Sequence, residues 1–307
     1  MSSTISETLA TLGRGYVRDA PGSPGKAALA TRYLNPWLRD HPRRRVVRTR
    51  FGAAMAVDTQ DLIQRFVYLF GLWEPHMTHW LQRRLRPGDT YIDVGANVGY
   101  FSLLASQLVG EEGRVVAIEA SPTFHARVRR HAEINGCSNL RTVNSAVADE
   151  RKTVTLILAS SSNMGAASIV PYDGPAESTL DVEAYPLPQV LDADEIAGAR
   201  VIKIDVEGAE GAVIRGLAPV LDKLRPDAEI TVEVTPERME ALGESPGELL
   251  TTMREHGFHA YRLPNSYAPG SYPAALRGPA AVPVRWRHPV VEESDLVFSR
   301  IDAETLP

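Results

Sequence analysis

The chain has 307 residues, of which 44% are hydrophobic and 23% charged, and its formal net charge is −5. This composition is that of a globular protein, and the length accommodates one large α/β domain with an N-terminal addition. An acidic balance provides no general attraction to nucleic acid, so we expect no nucleic-acid partner. The single Cys137 excludes an intramolecular disulfide, and no apolar run reaches the roughly 20 residues of a membrane span. We therefore expect a cytoplasmic protein without a membrane span.

The first 88 residues are predicted to precede the main domain. Residues 1–45 contain several glycines and prolines and are expected to form a partly flexible arm with a short helix. Residues 46–88 are predicted to form a β-hairpin around Phe51-Gly52 and a helical lead-in that ends at Arg86-Pro87-Gly88. Residues 89–307 are then expected to form the main domain, with an insertion at 146–200.

The most informative segment begins with the apolar strand Thr90–Val94, which runs through a glycine-containing turn into a helix. Glycines permit a sharp turn, and the unpaired N–H groups of a helix N-terminus let a ligand lie close to the main chain. The dinucleotide fingerprint G-x-G-x-x-G matches at Gly95 but has Asn97 and Tyr100 at its other two glycine positions, which weakens a nicotinamide or flavin interpretation. With Asp93 as an acceptor, the segment suits an adenosyl group carrying an amino acid better than a pyrophosphate. An ordinary strand–turn–helix junction is the alternative.

Strands and helices alternate along the rest of the chain, which predicts βαβ units and a mainly parallel sheet. Ligands of such sheets bind outside the carboxyl ends of the strands. That rule selects Asp93, Glu119, Ser145, Asp205 and Glu233. Glu119 can accept hydrogen bonds from ribose hydroxyls, although a solvent-facing glutamate in a loop is the alternative. Ser145 lies where an adenine ring could rest.

A second motif, Lys203-Ile204-Asp205-Val206-Glu207-Gly208-Ala209-Glu210, places two carboxylates where an apolar strand meets a glycine turn. Asp205 is expected to lie over the ligand edge of the sheet, and Glu207 in the turn. Carboxylates at this position could bind the sulfonium side of a cofactor, act as a general base, or hold a hard cation. Capping of the following helix is the alternative, with Glu210 as its terminal charge.

The two motifs together, Asp93 to Phe101 and Lys203 to Glu210, resemble the FkbM family of S-adenosylmethionine-dependent methyltransferases. Leu72-Trp73-Glu74-Pro75 also resembles the lead-in of that family. The resemblance covers roughly residues 57–300. It implies an α/β, class I methyltransferase (Rossmann-like) fold: a seven-stranded, mainly parallel sheet with an antiparallel last strand and helices on both faces. The predicted strands His259–Leu263 and Asp295–Ser299 fit as its closing pair.

The resemblance also implies roles for single residues, with S-adenosylmethionine as the cofactor. The methionine-side loop would consist of Asp93, Gly95, Asn97 and Gly99. Glu119 would hold the ribose, Ser145 and Ala146 would flank the adenine, and Asp205 would lie beside the transferred methyl. The implied acceptor is a small molecule, methylated on a hydroxyl of a natural product, sugar or glycan.

A hydroxyl nucleophile gains from losing its proton as it attacks, and Asp205, Glu207 or one of His256 and His259 could accept that proton. Asp205 and Glu233 could instead supply oxygen ligands to a divalent cation, but two carboxylates do not make a convincing site, so a metal is not favoured. On the substrate side, the polar loop within the insertion offers three candidates, namely Asn163, Gly165 and Ser168. A plain surface loop is the alternative there.

Two other functional classes stay open from the sequence. The chain could be a catalytically inactive regulatory protein that keeps the cofactor fold, or an N-methyltransferase. Asp93, Gly95 and Glu119 are all retained, which favours catalysis. A nucleic-acid methyltransferase is disfavoured by the acidic pI, about 5.9. The sequence leaves open whether the chain forms a homo-oligomer.

Overall fold

The structure is a computed structural model that describes residues 3–159, 167–168 and 176–306. Its α-helices are α1 (Ser3–Asp19), α2 (Lys26–Leu29), α3 (Asn35–Asp40), α4 (Leu62–Phe70), α5 (Pro75–Arg84), α6 (Tyr100–Val109), α7 (Pro122–Asn135), α8 (Leu187–Val190), α9 (Ala193–Gly198), α10 (Glu210–Leu217), α11 (Pro236–Ala241), α12 (Pro246–Glu255) and α13 (Tyr272–Ala275). A π-helical turn, Ala30–Leu34, joins α2 to α3, and a 3₁₀ segment, Ala218–Lys223, follows α10. In the described ranges, no helix combines the length and apolar character needed to cross a membrane.

The strands form three sheets. They are β1 (Arg44–Arg48), β2 (Ala54–Asp58), β3 (Thr90–Val94), β4 (Arg114–Glu119), β5 (Leu140–Asn144), β6 (Ala146–Val147), β7 (Lys152–Ala159), β8 (Ala167–Ser168), β9 (Ala176–Tyr185), β10 (Ala199–Ile204), β11 (Glu229–Val234), β12 (His259–Leu263), β13 (Val284–Arg285) and β14 (Ser294–Ser299). The main sheet has the order β13-β12-β14-β11-β10-β3-β4-β5.

The main sheet confirms the predicted fold class. Its central strands β11, β10, β3, β4 and β5 are parallel, and β14 lies antiparallel between β11 and β12. The predicted closing pair of strands therefore forms, with β14 inserted as the antiparallel strand. The sheet has eight strands rather than seven because the two-residue strand β13 adds to the edge beside β12.

Helices cover both faces of the main sheet. Successive side chains of a strand point to opposite faces. Tyr91 accordingly packs into one core with helices α4, α5 and α6, whereas Ile92 packs into a second core with α10 and α12. Both side chains are fully buried, as expected for a parallel sheet enclosed on two sides. Because both faces of the main sheet are covered, a ligand can reach the sheet only at the ends of its strands.

The first 45 residues differ from the expected arm with a short helix. Helix α1 spans 17 residues, and its Ala10 and Val17 are buried in the same core as Tyr91. Two of the glycines that predict a flexible arm, Gly13 and Gly15, lie inside α1. A β-carbon at Gly13 would lie 3.2 Å from Leu34 Cδ2, so this glycine permits a close approach of the π-helical turn.

The insertion predicted at 146–200 contributes a separate sheet of order β6-β9-β7-β8. Its main part is the antiparallel pair β7 and β9. Of the three substrate-side candidates, Asn163 and Gly165 lie outside the described residues. The backbone of Ser168 belongs to β8, which pairs with β7.

Candidate active site

A cavity of about 510 Å³ opens at the carboxyl ends of the central strands β3, β4, β10 and β11. This is the edge of the sheet at which the topology predicts a ligand. At or next to the ends of these strands lie Asp93, Val94, Glu119, Asp205 and Glu233, and all five residues line the cavity. The inserted strand β7 closes one side through Lys152, Val154 and Leu156.

The turn after β3 is shaped by its glycine. Gly95 has a φ of +85°, a left-handed conformation that favours glycine. A β-carbon at this position would overlap the main-chain carbonyl oxygen of Asp205. The Asp205 N–H in turn donates to the carbonyl oxygen of Val94 at 3.0 Å. The turn of the first motif therefore packs directly on the main chain of the second motif, with no side chain between them.

Glu119 is fixed at the end of β4 by two backbone donors. Its Oε2 accepts from the N–H of Asn97 at 2.7 Å, and its Oε1 accepts from the N–H of Ser121 at 2.8 Å. Burial raises the pKa of Glu119 to about 7, although these two amides oppose the shift. The carboxylate thus joins the glycine turn to the start of α7 and still has acceptor positions for a ligand.

Asp93 carries a buried acceptor that the described residues leave without a partner. Its Oδ2 accepts from Ser102 Oγ at 2.5 Å. Its Oδ1 has no hydrogen-bond partner, and the residue is 1% exposed. Burial raises the pKa of Asp93, and the nearby Lys203 ammonium opposes that rise. Since an unpaired buried oxygen is costly, a ligand that donates to Oδ1 would stabilise this end of β3.

Asp205 forms a buried ion pair with Lys203 at the end of β10. The Lys203 ammonium donates to Asp205 Oδ2 at 2.6 Å and also lies 5.1 Å from the centre of the Phe101 ring. Burial favours the neutral acid, but Lys203 prevails and lowers the pKa of Asp205. An ionised carboxylate is therefore held at the cavity.

A second acidic group lies beyond Asp205, at the end of β11. Glu233 Oε1 accepts from the Tyr267 hydroxyl at 2.5 Å, and Glu74 Oε1 lies 3.4 Å from the same hydroxyl. The Tyr267 ring stacks on Trp73, with ring centres 5.3 Å apart. Burial raises the pKa of both glutamates well above the ordinary value. All four side chains line the cavity.

The family model for the methyltransferase FkbM domain matches residues 93–260 of this chain. The match covers more than half of the chain and includes both motifs at the cavity. The chain belongs to the FkbM methyltransferase family. It is therefore an S-adenosylmethionine-dependent methyltransferase, and S-adenosylmethionine is its cofactor.

Curated relatives of this FkbM-family protein are similar over shorter stretches. The protein-L-isoaspartate O-methyltransferase of Ignicoccus hospitalis is 26% identical over 160 residues, which cover 48% of this chain and 67% of the relative. The ribosomal RNA large subunit methyltransferase E of Bdellovibrio bacteriovorus is 29% identical over 84 residues, 27% of this chain and 35% of the relative. Among solved structures, the methyltransferase FkbM of Methylobacillus flagellatus is 15% identical, with 77% of this chain and 52% of that chain covered and a TM-score of 0.40.

The residues of the FkbM-family site fit this cofactor. Gly95 lines the cavity without a side chain of its own, and the unpartnered Asp93 Oδ1 can accept from an amino group. The carboxylate of Glu119 can accept from ribose hydroxyls. Of the predicted cofactor residues, the structure places Asp93, Gly95, Asn97, Glu119, Ser145, Ala146 and Asp205 at one cavity. Gly99 lies one turn deeper, as the N-cap of α6.

His259 does not lie at this cavity, so its predicted role as a proton acceptor requires correction. It begins β12 and is paired with Ser299, which in turn is paired with Glu229 at the amino end of β11. The cavity lies at the other end of that strand, four residues or about 13 Å away. The His259 ring instead contacts Arg285 at 2.6 Å and lies 3.8 Å from Asp302. The sequence showed a histidine at a strand end but not which edge of the sheet that end occupies.

Glu207 lies at the cavity, where it forms an ion pair with Arg238 of α11. Arg238 and Lys203 are not among the predicted site residues, whereas the stretch 264–289 with Tyr267 is expected from the sequence to close over this edge, and Glu74 belongs to the predicted lead-in. Lys203 could have been found, because it precedes Asp205 by two residues and so points to the same face of β10. Tyr267 and Glu74 reach the site from segments far apart in sequence, and no local pattern indicates that.

Within the described part of the chain, no group of three or more His, Cys, Asp or Glu side chains is arranged to hold a metal ion. Asp205 and Glu233 do lie at the same cavity. One oxygen of each already has a protein partner, since Lys203 donates to Asp205 Oδ2 and Tyr267 donates to Glu233 Oε1. Two carboxyl groups in these bonds do not by themselves form a metal site.

Proposed function

We propose that this enzyme methylates a hydroxyl group of a small molecule, such as a natural product, a sugar or a glycan end. The observation that supports this proposal is the ionised Asp205 at the junction of the two halves of the cavity. On one side of it lie the cofactor residues Asp93 and Gly95, and on the other lies Glu233. When bound, S-adenosylmethionine supplies a methyl group carried on a positively charged sulfur.

The chemical task of the protein is to orient the acceptor and to take up its proton. A hydroxyl becomes a better nucleophile as a positioned base accepts its proton. Lys203 engages Oδ2 of Asp205, while the side chain remains 25% exposed toward the cavity. Asp205 is thus our preferred proton acceptor. Glu207 is a second candidate, although Arg238 already pairs with it.

The lining of the cavity favours a small acceptor over RNA. Acidic side chains outnumber basic ones by eight to three among the described lining residues, so a phosphate backbone would be repelled. The named activities of the two relatives, on protein and on ribosomal RNA, are therefore not our choice for this chain. Asn163, Gly165 and Ser168 stay as proposed substrate-side residues, and the cytoplasm stays the expected location.

The test separates cofactor binding from turnover. Calorimetry with S-adenosylhomocysteine measures binding, and mass spectrometry of hydroxyl-bearing compounds incubated with enzyme and S-adenosylmethionine detects one added methyl. Asp205→Asn should keep S-adenosylhomocysteine binding and lose methyl transfer. Asp302→Asn is a matched control, because Asp302 lies beside His259 at the opposite edge of the sheet. Methylation confined to nitrogen, or full activity of Asp205→Asn, would contradict the proposal.

A further inference from the structure

We propose that the acceptor carries a protonated amino group, and that Glu74 and Glu233 bind this group beside the stacked rings of Trp73 and Tyr267. The inference rests on the proposed function and narrows its acceptor to an amine-bearing alcohol. The four side chains form the end of the cavity beyond Asp205, and we call them the amine pocket.

A single phenol connects the two carboxyl groups of the amine pocket. Tyr267 has one hydroxyl proton to donate, and the 2.5 Å distance to Glu233 Oε1 shows where that proton goes. Glu74 Oε1 lies 3.4 Å from the same hydroxyl oxygen, too far for a second bond of equal strength. The hydroxyl proton of Tyr267 is therefore donated mainly to Glu233, and Glu74 receives at most a weak hydrogen bond from it.

Glu74 is the under-partnered member of the amine pocket. It is 5% exposed, and its side chain lines the cavity. Apart from the long contact with Tyr267, no side-chain or backbone donor among the described residues bonds to its carboxyl group. One long hydrogen bond leaves most of the acceptor capacity of this carboxyl group open to a ligand in the cavity. A ligand with several N–H donors would use that capacity, and an alkylammonium group has three.

The cations that line the cavity are already engaged elsewhere. Lys203 is bonded to Asp205, Arg238 is paired with Glu207, and Lys152 is bonded to Asp149. These three are the basic side chains among the described lining residues. The charge of Lys203 also reaches Glu74, but its hydrogen bond goes to Asp205, and no described lining cation is bonded to Glu74 or Glu233. Burial raises the pKa of both groups, and a cationic ligand would favour their ionised forms.

Aromatic rings complete the recognition of a cation. The Trp73 and Tyr267 rings are nearly parallel, with an angle of 16° between their planes. Cations are attracted to the electron-rich faces of aromatic rings. Carboxyl groups and aromatic rings in one buried pocket select an alkylammonium group. The same pocket disfavours phosphorylated or carboxylated acceptors, because these would meet like charge.

The first experiment compares two probes on the protein saturated with S-adenosylhomocysteine. One probe is trans-2-aminocyclohexanol, and the other is trans-cyclohexane-1,2-diol, in which a hydroxyl replaces the amino group. At equal ionic strength and neutral pH, the amine should bind about tenfold more tightly in NMR titrations, a difference of about 1.4 kcal/mol. Equal affinities, or tighter binding of the diol, would overturn the inference. This comparison uses the wild-type protein and does not depend on the folding of a variant.

The second experiment assigns the preference to the amine pocket. Glu74→Gln and Glu233→Gln should each reduce the amine preference to about threefold or less, while S-adenosylhomocysteine affinity stays unchanged. The matched control is Glu304→Gln, an exposed glutamate paired with Arg287 at the protein surface, which should keep the full preference. An unchanged preference in both pocket variants would also overturn the inference.

The two proposals fail in distinguishable ways. If the protein binds S-adenosylhomocysteine and methylates a neutral alcohol while the amine shows no preference, the amine pocket is wrong and the proposed function stands. If the amine probe binds with the expected preference and the two pocket variants remove it, but no product carries a methyl on oxygen, the amine pocket stands and O-methylation is wrong. If the new methyl is on the amino nitrogen, that nitrogen reacted as a free amine at the methyl donor and was not held as an ammonium in the amine pocket, so both proposals are wrong. Fragment masses of the product locate the methyl and decide between these results.

Discussion

The α-carbon of Gly95 faces the main-chain carbonyl oxygen of Asp205 so closely that a β-carbon at position 95 would overlap it. The contact joins the turn after β3 to the end of β10, the two segments that carry the sequence motifs. The glycine of the first motif is therefore required by the backbone of the second. Any side chain at position 95 must displace either the turn after β3 or the backbone of Asp205, whose carboxylate is proposed to accept the proton.

We predict that Gly95→Ala abolishes S-adenosylhomocysteine binding. Its melting temperature should fall further than the strain of a left-handed backbone conformation alone would cause. Gly88→Ala is the matched control. Gly88 has a φ of +87°, close to the +85° of Gly95, but nothing lies within 4 Å of a β-carbon there. The control should lose about 1 kcal/mol and keep binding, because it carries only the strain of the left-handed conformation. Equal losses in the two variants would show that the overlap with Asp205 is relieved without cost.

Affinity for S-adenosylhomocysteine should rise with pH through about pH 7, because Glu119 accepts ribose hydroxyls best when ionised. The pKa of Glu119 is raised in the folded protein, so between about pH 4.5 and 7 the folded state holds a proton that the unfolded chain has released. The same group therefore reduces the free energy of unfolding as pH rises through that window. Calorimetry at several pH values tests the first effect. Glu119→Gln should bind S-adenosylhomocysteine more weakly, and its affinity should no longer rise with pH through about pH 7. If the affinity of the variant followed the same pH profile as the wild type, Glu119 would not be the titrating group.

Removing Lys203 should destabilise the fold by leaving Asp205 without its counter-charge. We expect Lys203→Met to cost about 3 kcal/mol, the lower end for a broken buried pair, because Asp205 is 25% exposed. The double variant Lys203→Met/Asp205→Asn should regain at least about 1 kcal/mol of that loss, since no unpaired charge remains. Urea denaturation of the wild type, Lys203→Met, Asp205→Asn and the double variant gives the four free energies of unfolding. Strictly additive losses would show that the two groups do not interact.

His131 should make the cofactor turn sensitive to acid. Its ring bridges the hairpin and the turn: Nδ1 donates to the Val98 carbonyl oxygen at 2.8 Å, and Nε2 accepts from the Ala56 N–H at 3.0 Å. Burial lowers the pKa of His131, so the unfolded chain takes up a proton first as pH falls through about 6.5. Stability from this group is present above that pH and is lost below it.

The measurement compares free energies of unfolding from about pH 8 to pH 5 for wild type, His131→Gln and the exposed control His288→Gln. His131→Gln should be less stable than wild type at high pH by about 1 kcal/mol and should show a flatter pH dependence. The control should follow the wild type. A parallel pH dependence in His131→Gln would exclude this histidine as the source.

The cofactor half of the site could be predicted from sequence because its residues follow one rule. Asp93, Glu119 and Asp205 lie at the carboxyl ends of parallel strands. These ends meet at one edge of the sheet regardless of the length or sequence of the connecting loops. The fold class followed from the same alternation of strands and helices. His259 shows where the rule stops, because β12 begins at the other edge, and the direction of a strand is set by its partners rather than by its own residues.

The other half of the site depends on contacts between distant segments. Glu74 precedes α5, and Tyr267 follows β12, yet the Tyr267 hydroxyl lies 3.4 Å from Glu74. The N-terminal helix α1 is a similar case, since Gly13 lies inside it because Leu34 packs there. A local pattern indicates the type of an element, but tertiary packing decides which side chains it brings together.

The Trp73–Tyr267 stack joins two segments that both lie outside the residues matched by the family model, 93–260. The residues that fit the cofactor lie inside that range. Under our proposals, the acceptor site is therefore shared between two parts of the chain: Glu233 lies inside the matched range, whereas Glu74 and the two stacked rings lie outside it. Changes near residues 73 and 267 would alter the aromatic side of the acceptor site and leave the residues that fit the cofactor untouched.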